Sequence, residues 1–588
     1  MKHLSSLMRG GPAAGLLLTL LWLAGPAARA QAPAWQMAVA VNQTLGTSSE
    51  VQAMVADANG NVFVAGNFTG TTSFGNIDLT SVGGSDIFIA RWSPVTGSFT
   101  WAQRAGGTAN DYAGAIAVSG GGIYVAGQFQ SATADFGSSS LQNAGPANTD
   151  DVFVSKLTDV GGFVWTQRAG GTGIDAAAAM CVAASEVYIA GTFSSLAIGF
   201  GNTMLTNADN TGTYDAFVTK LTDAGSTAGF VWAKRAGGAE SDFVTTMAVT
   251  GTNVYIAGDF RSPTASFDAL TLSNTTASPP FTDDVFVAKL TDGGTNSTFN
   301  WVQRAGGSGY DDAYALTTAG ATVYLAGSFG FSNGGPANAT ATFGSTTLTT
   351  AGLTDVFITK LTDSGSSGTF VWAQRAGGAL FDTPKGIGVV GTNVCIVGSF
   401  GGPTADFGAF NLSNTSSMGS DDIFVAKVID AGSSSRFAWA QQAGGPAIDD
   451  ANAMAIAGTS LYVAGATTAP STFGNLSITG PTTLKRAFLA SLADPTLLAT
   501  AASKETLSFT LAPNPARAAT TVQLPAQPGT AATLTLRDAL GRALRTATVA
   551  LPPAGLRHEL DLTGLPAGLY ALQVRAGAAT ATRRLVVE

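Results

Sequence analysis

One tryptophan returns seven times at nearly constant spacing, and no other feature restricts the fold of this chain so severely. It stands at Trp35, Trp101, Trp165, Trp232, Trp301, Trp372 and Trp439, 64 to 71 residues apart. Five copies open WAQRAGG or a close variant, Trp439 opens WAQQAGG, and Trp35 opens the degenerate WQMAVAV. Length alone would divide 588 residues into several domains, but repetition on this scale assigns most of them to one.

Three further strand-like pieces separate successive tryptophans. The first is small and apolar, as in Ala113 to Val118 or Thr246 to Val249. The second is VFVAGNF from Val62, echoed by IYVAGQF, VYIAGTF, VYIAGDF, VYLAGSF, VCIVGSF and LYVAGAT. The third is DIFIARW from Asp86, echoed by DVFVSKL, DAFVTKL, DVFVAKL, DVFITKL, DIFVAKV and a divergent RAFLASL at Arg486. These pieces are rich in β-branched and aromatic residues and bounded by Gly, Asp and Asn, and no helical period runs through them.

Four short antiparallel strands per repeat make one blade of a β-propeller. The last repeat, however, lacks a Trp strand after RAFLASL, and the spare one sits at Trp35. The offset predicts that the N-terminal strand completes the last blade and so removes an exposed sheet edge. The expected fold is all-β. A seven-bladed β-propeller over residues 31–495 is closed by the N-terminal strand, with the small strand innermost and the Trp strand outermost. A linker over 496–507 and a small C-terminal Ig-like β-sandwich over 508–588 follow. The segment between second and third strands varies most in length and carries a recurring Phe-Gly at Phe74, Phe136, Phe200, Phe343, Phe407 and Phe473. Variable segments on a constant scaffold are where recognition is expected.

Composition agrees with a large β core. Charged residues are 11% and hydrophobic residues 45%, with 73 glycines for tight turns. Residues 31–503 hold 17 Lys or Arg against 33 Asp or Glu, a net of −16, whereas residues 507–588 hold 8 against 4, a net of +4. An acidic body repels phosphate backbones, so nucleic acid is not an expected partner. Lys2, His3 and Arg9, the apolar run Ala13 to Ala24 and the Ala28-Arg29-Ala30 site read as a signal peptide over 1–30, cleaved after Ala30. No later run is long enough to cross a bilayer, so the mature protein is expected to have no transmembrane segment. Cys181 and Cys395 lie in different repeats and are read as small buried hydrophobes rather than a disulfide.

Taken in order, AGGxxxD, AxxVxG, VYVAGxF, FG, DxFVAKL and FxWAQRAGG resemble the SBBP-type bacterial β-propeller repeat over roughly residues 35–492. That resemblance implies a propeller and an extracytoplasmic setting without fixing an activity. The tail resembles the type A C-terminal sorting domain of the type IX secretion system. The residues that carry it are Pro513, Asn514 and Pro515, Asp538 with Gly541 and Arg542, the LPAGLY run containing Gly568 and Tyr570, and the closing Leu585-Val586-Val587. Such a domain implies a secretion translocon and a sortase-like peptidase as partners, passage through the periplasm and outer membrane, and a body released or left on the cell surface.

The chemistry is mostly negative. The only histidines are His3 and His558, so the repeat body can hold neither a Ser-His-Asp nor a Cys-His mechanism, nor a His-ligated zinc. No catalytic residue, cofactor or metal is assigned and no enzyme is expected, with Ca²⁺ the one candidate ion. Asp111, Asp175, Asp242, Asp311, Asp382 and Asp449 recur at the start of the innermost strands. They are read either as a carboxylate ring for a cation or ligand, or as caps on their own turns, with capping favoured. A second set, Asp86, Asp151, Asp215, Asp284, Asp355 and Asp422, opens the third strands. It is expected to pair structurally with Arg104, Arg168, Arg235, Arg304 and Arg375. Glu240, Asp312 and Asp450 are acids that break the repeat; if two or more converged, cleavage of a polysaccharide would become the alternative to a binding or scaffold role for a glycan or protein.

Overall fold

The computed structural model describes residues 32–44, 46–209, 211–276, 279, 281–331, 338–416, 420–480, 484–497, 509–524, 531–538, 542–550, 552, 555–576 and 579–588. The leader with its cleavage site after Ala30, most of the linker and Gly541 lie outside the described residues. The protein is all-β. Apart from a 3-10 turn at Pro495–Leu497, every regular element described is a strand. No helix among the described residues is long and apolar enough to cross a membrane.

Each repeat folds into a four-stranded antiparallel unit. In the second unit Asp111–Ser119 pairs with Gly122–Phe129, which pairs with Asp151–Thr158, which pairs with the Trp strand Phe163–Ala169. The last unit has Asp450–Ala457, Ser460–Thr467 and Arg486–Ala493 in that order, and its fourth strand is Trp35–Ala40. Trp35 lies opposite Leu492 and Ala40 opposite Phe488. The first strand of each unit packs against the first strand of the next, and Asp450–Ala457 packs against Ser49–Ala56, so the cycle of contacts has no end.

Apolar residues of neighbouring units form the cores between them. Tyr188 and Trp232 of unit three pack with Val254, Phe260 and Phe286 of unit four, and Ala464 and Leu489 of unit seven pack with Val62 and Phe88 of unit one. The long segment between second and third strands is not an open loop. In each unit it contains a two-stranded hairpin whose turn is the recurring Phe-Gly, or Phe267-Asp268 in unit four, with the Phe buried against the unit's own sheet; Phe74 lies 4.9 Å from Phe88 and 5.1 Å from Phe99. The hairpin's first strand also reaches back to the previous unit: Ala134 and Asp135 pair with Gly107 and Gly106. Length varies in the stretch beyond the hairpin and, in unit five, in the stretch before it, between Gly330 and Thr340.

A buried polar clasp joins most neighbouring units. Tyr255 Oη, Lys289 Nζ and Trp301 Nε1 of unit four, one from each of three strands, donate to Asp363 in the turn of unit five at 2.7, 2.6 and 2.9 Å. The same trio meets Asp223, Asp292 and Asp430, and Lys427 with Trp439 meets Asp494, where Cys395 replaces the tyrosine. In unit one Trp101 donates only to the Asp159 carbonyl. No clasp of this kind forms between units seven and one among the described residues. Cys181 and Cys395 are both free thiols.

The tail folds into two antiparallel sheets. Thr510–Ala512, Ala519–Leu524 and Leu556–Asp561 make one, and Ala543–Ala550, Ala531–Arg537, Gly568–Ala576 and Ala579–Val587 make the other. Val522, Leu524, Leu536, Leu572 and Leu585 are fully or almost fully buried in their shared core.

Candidate ligand site at the end of the central cavity

The seven first strands surround a cavity of about 280 Å³. Each of them carries a β-bulge, an extra residue that interrupts the register with the second strand. A bulge re-aims one side chain without disturbing the rest of the ladder. The residues so placed are Gln52, Gly114, Ala178, Thr245, Tyr314, Lys385 and Asn452, and all of them line the cavity. Thr245 Oγ1 donates to the Ala313 carbonyl of the next unit at 2.7 Å. Asn452 Nδ2 donates to the Val51 carbonyl at 3.0 Å across the junction of units seven and one.

The recurrent aspartates at the start of these strands do not line that cavity. Asp111 is fully buried: Oδ2 accepts from Gly107 N at 2.7 Å and Ser131 Oγ at 2.8 Å, and Oδ1 from the backbone of Gln130 and Ser131. Asp175 and Asp242 repeat most of the pattern with Ser195 and Ser262, and Asp449 takes donors from Thr467, Thr468 and Ser471. Asp311 and Asp382 lack the serine, keep one bond from Gly307 N and Gly378 N, and leave Oδ1 buried without a partner. These bonds close the turn that brings the chain into each first strand. Burial, with the neighbouring carboxylates of Asp355 and Asp421, pushes Asp382 up to about 8.

The second aspartate set is likewise inside the framework. Asp86, Asp151, Asp215, Asp284 and Asp355 pair with Arg104, Arg168, Arg235, Arg304 and Arg375 at 2.5 to 3.0 Å, while Asp422 accepts from Thr415 instead. The AGG motif follows from this crowding. At Gly106, with φ of +130°, a β-carbon would lie 2.8 Å from Asp111 Oδ2 and 2.9 Å from Asp86 Oδ1.

Charged residues that break the repeat gather where the first strands begin. Asp312 stands beside Asp259 and Asp283, with carboxylate oxygens of the three within 4.8 Å of one another. Arg261 donates to Asp283 from Nε and Nη2 at 2.9 and 2.8 Å, and its guanidinium lies 5.7 Å from the centre of the Tyr310 ring. Lys385 Nζ lies 4.0 Å from the centre of the Tyr314 ring, and Tyr314 Oη donates to Asp312 at 3.3 Å. Lys385 is open to the cavity yet walled in by protein. Desolvation lowers its ammonium pKa against the opposing pull of Asp312, Asp450 and Glu50. Asp450 accepts from Lys485 at 2.6 Å, and Glu50 from Asn452 at 2.7 Å. Burial first, and then Asp283, push Asp312 up to about 6. Exposed Phe381, Ile448 and Leu484 lie on loops at this same end.

Of the three repeat-breaking acids, Asp312 and Asp450 both bear on Lys385, whereas Glu240 belongs to a turn fixed by Ser262 Oγ. Sequence reading passed over Asp259, Asp283, Lys385 and the bulge residues. Aligning the seven repeats column by column reveals Asp259 and Lys385, since the residue matching Asp259 is elsewhere Asn67, Gln128, Thr192, Ser328, Ser399 or Ala466 and no other unit has a charge at the position of Lys385; Asp283 shares its column with Asp150 and Asp421.

The tail places its motif residues on its own frame. Asn514 Oδ1 accepts from Val586 N at 2.9 Å and its Nδ2 donates to the Arg584 carbonyl at 2.8 Å, tying the first turn to the last strand. Thr520 Oγ1 donates to the Pro513 carbonyl, Arg542 Nε to Asp538 at 2.7 Å, and Tyr570 Oη to the Pro566 carbonyl at 2.8 Å. Pro515 lies in the same first turn, and Gly568 begins the strand that pairs with the last.

Residues 510–588 match the family described as the secretion system C-terminal sorting domain. This domain marks the protein for export through the type IX secretion system to the cell surface or extracellular space, and hence for engagement with that machinery. A 217-residue stretch is 28% identical to the regulatory protein FlaEY of Caulobacter vibrioides; it covers 36% of this chain and 22% of that protein, so the chain spans about a fifth of its relative's length. Deleting residues 508–588 is expected to leave the body in the periplasm, as cell fractionation would read; undiminished surface delivery would refute that.

Proposed function

We propose that this exported protein is a seven-bladed β-propeller of the SBBP-repeat type that serves as a binding scaffold, capturing an extracellular glycan or protein at the end of its central cavity. One observation carries the reading. The repeats are nearly uniform, yet charged residues that most units lack, Glu50, Asp259, Asp283, Asp312, Lys385 and Asp450, collect at one end of the cavity beside exposed Phe381. A patch with fixed charge, aromatic faces and exposed apolar groups suits recognition of a partner. The seven-unit ring supplies rigidity, and the sorting tail supplies delivery.

Two substitutions at the cavity end test it. In a glycan and envelope-protein array, Lys385→Ala and Phe381→Ala are each expected to weaken capture at least tenfold, about 1.4 kcal/mol, while leaving the melting temperature unchanged. Capture unaffected by both would place recognition elsewhere. Polysaccharide cleavage is the second reading, favoured only by Asp312 and Asp450 flanking Lys385. Turnover of a polymer that Asp312→Asn abolishes would replace the scaffold reading with that one.

A further inference from the structure

Asp259 is buried to 7% exposure, and among the described residues no hydrogen-bond donor reaches its carboxylate. A buried carboxylate in that state is costly unless it takes up a proton or something cationic meets it. Its own surroundings worsen the problem, because oxygens of Asp283 and Asp312 lie within 4.8 Å. Arg261 is committed in a two-pronged pair to Asp283 and makes no such pair with Asp259. Three carboxylates therefore face one guanidinium, and Asp259 is the one left over.

None of the three acids belongs to the turn-closing or strand-opening sets that recur in every unit. Each arises at a different register position, Asp259 at the end of Asn253–Phe260, Asp283 just before Asp284–Asp292, and Asp312 near the start of Tyr310–Ala319. Asp259 is the one acid in its column of the repeat, whereas the columns of Asp283 and Asp312 hold an acid in three units of seven; all three columns are acidic together only where units four and five meet. Carboxylate oxygens alone suit a hard divalent cation rather than zinc or copper.

We infer that Asp259, Asp283 and Asp312 form a Ca²⁺ site that bridges units four and five at the end of the cavity. The ion balances the orphaned carboxylate, adds a second tie between units four and five beside the bond from Asp311 N to the Asp283 carbonyl at 2.9 Å, and sets the charge that any partner meets. Affinity in the range of extracellular calcium modules, with Kd of about 0.1–1 mM, is sufficient outside a cell. The inference holds whatever the cavity end binds.

Terbium(III) substitutes for Ca²⁺ and emits when aromatic groups lie close by, as Tyr310 and Tyr314 do here. Titrating the intact mature protein is expected to give terbium emission that millimolar Ca²⁺ displaces. Asp259→Asn and Asp312→Asn, each nearly isosteric, are expected to lose at least nine-tenths of it. In parallel, 5 mM Ca²⁺ is expected to raise the melting midpoint of the intact protein by about 2 °C and that of either variant by nothing resolvable. Absence of both signals in the intact protein would overturn the inference. So would a calcium-induced shift that survives in the double variant, which would locate the ion elsewhere.

Discussion

A protein lacking residues 32–43 is expected to melt about 10 °C lower than the intact one and to self-associate. Trp35 is buried, with its ring edge-on to Phe473 at 5.1 Å, and losing a core tryptophan costs about 3–5 kcal/mol before any ladder bond is counted. The backbone pairing from Trp35 to Ala40 goes with it and leaves Arg486–Ala493 as a naked edge, a template for pairing with a second molecule. The loss falls at the worst place. Among the described residues the junction of units seven and one has no Tyr–Lys–Trp–Asp clasp and is held by strand pairing, by apolar packing and by Asn452 on Val51. Scanning calorimetry and sedimentation would measure both effects. A truncated protein that stays monomeric and melts within 3 °C of the intact one would contradict closure by the N-terminal strand.

Asp363→Ala is the second severe change, with an expected cost of about 3–5 kcal/mol. The substitution strands three buried donors together, Lys289 Nζ, Tyr255 Oη and Trp301 Nε1, and the lysine remains charged. Asp363→Asn keeps acceptors and loses the charge, so it should fall between. The same residue sets an acid limit. Burial alone would raise its pKa, but hydrogen bonds from Lys289, Tyr255, Gly365 and Trp301 outweigh that and hold it down at about 2. A carboxylate depressed in the folded state contributes stability that is full above about pH 4 and disappears as pH falls towards 2. Asp223, Asp292, Asp430 and Asp494 are lowered in the same way.

Asp175, Asp242, Asp382 and Asp422 run in the opposite sense, pushed up to about 6, 7, 8 and 6, chiefly by burial. Their contribution is greatest at low pH and declines as pH rises from about 4 to 8. Melting temperature against pH should therefore peak near pH 4–5, and Asp382→Asn should flatten the descent towards pH 8. A maximum at pH 8 would show that the turn-closing aspartates stay ionised when folded.

Strands were legible because their signal is local. Alternating β-branched residues, a bounding Gly or Asp and a tryptophan in a fixed column can be read without knowing what lies alongside. The position of Trp35 was legible for a different reason, since a surplus at one end and a deficit at the other can only be reconciled by pairing them. The clasp was not legible: Lys289 and Asp363 are 74 residues apart, and each looks like an ordinary strand lysine or turn aspartate. Bulges escaped notice because all seven first strands have one, so no repeat is longer than its neighbours at that point. Among the acids, Asp312 was singled out as irregular, whereas Asp283 was hidden beside the strand-opening Asp284 and Asp259 passed as variation within VYIAGDF.

The bulges also separate two kinds of inheritance. Residues in the regular ladder answer to their neighbours across an interface, and a change there must be matched by another. The bulged residue answers to the cavity and, at Thr245 and Asn452, to the backbone of the next unit as well. Gln52, Thr245, Tyr314, Lys385 and Asn452 differ in charge, length and polarity, yet their strands keep the same register. Gly114 is the exception, for a β-carbon there would sit 2.2 Å from the Ala177 carbonyl oxygen. The body thus resembles a dial whose frame is constant while most of its markings can be rewritten singly. Relatives with the same frame would be sorted by what they hold at those few places.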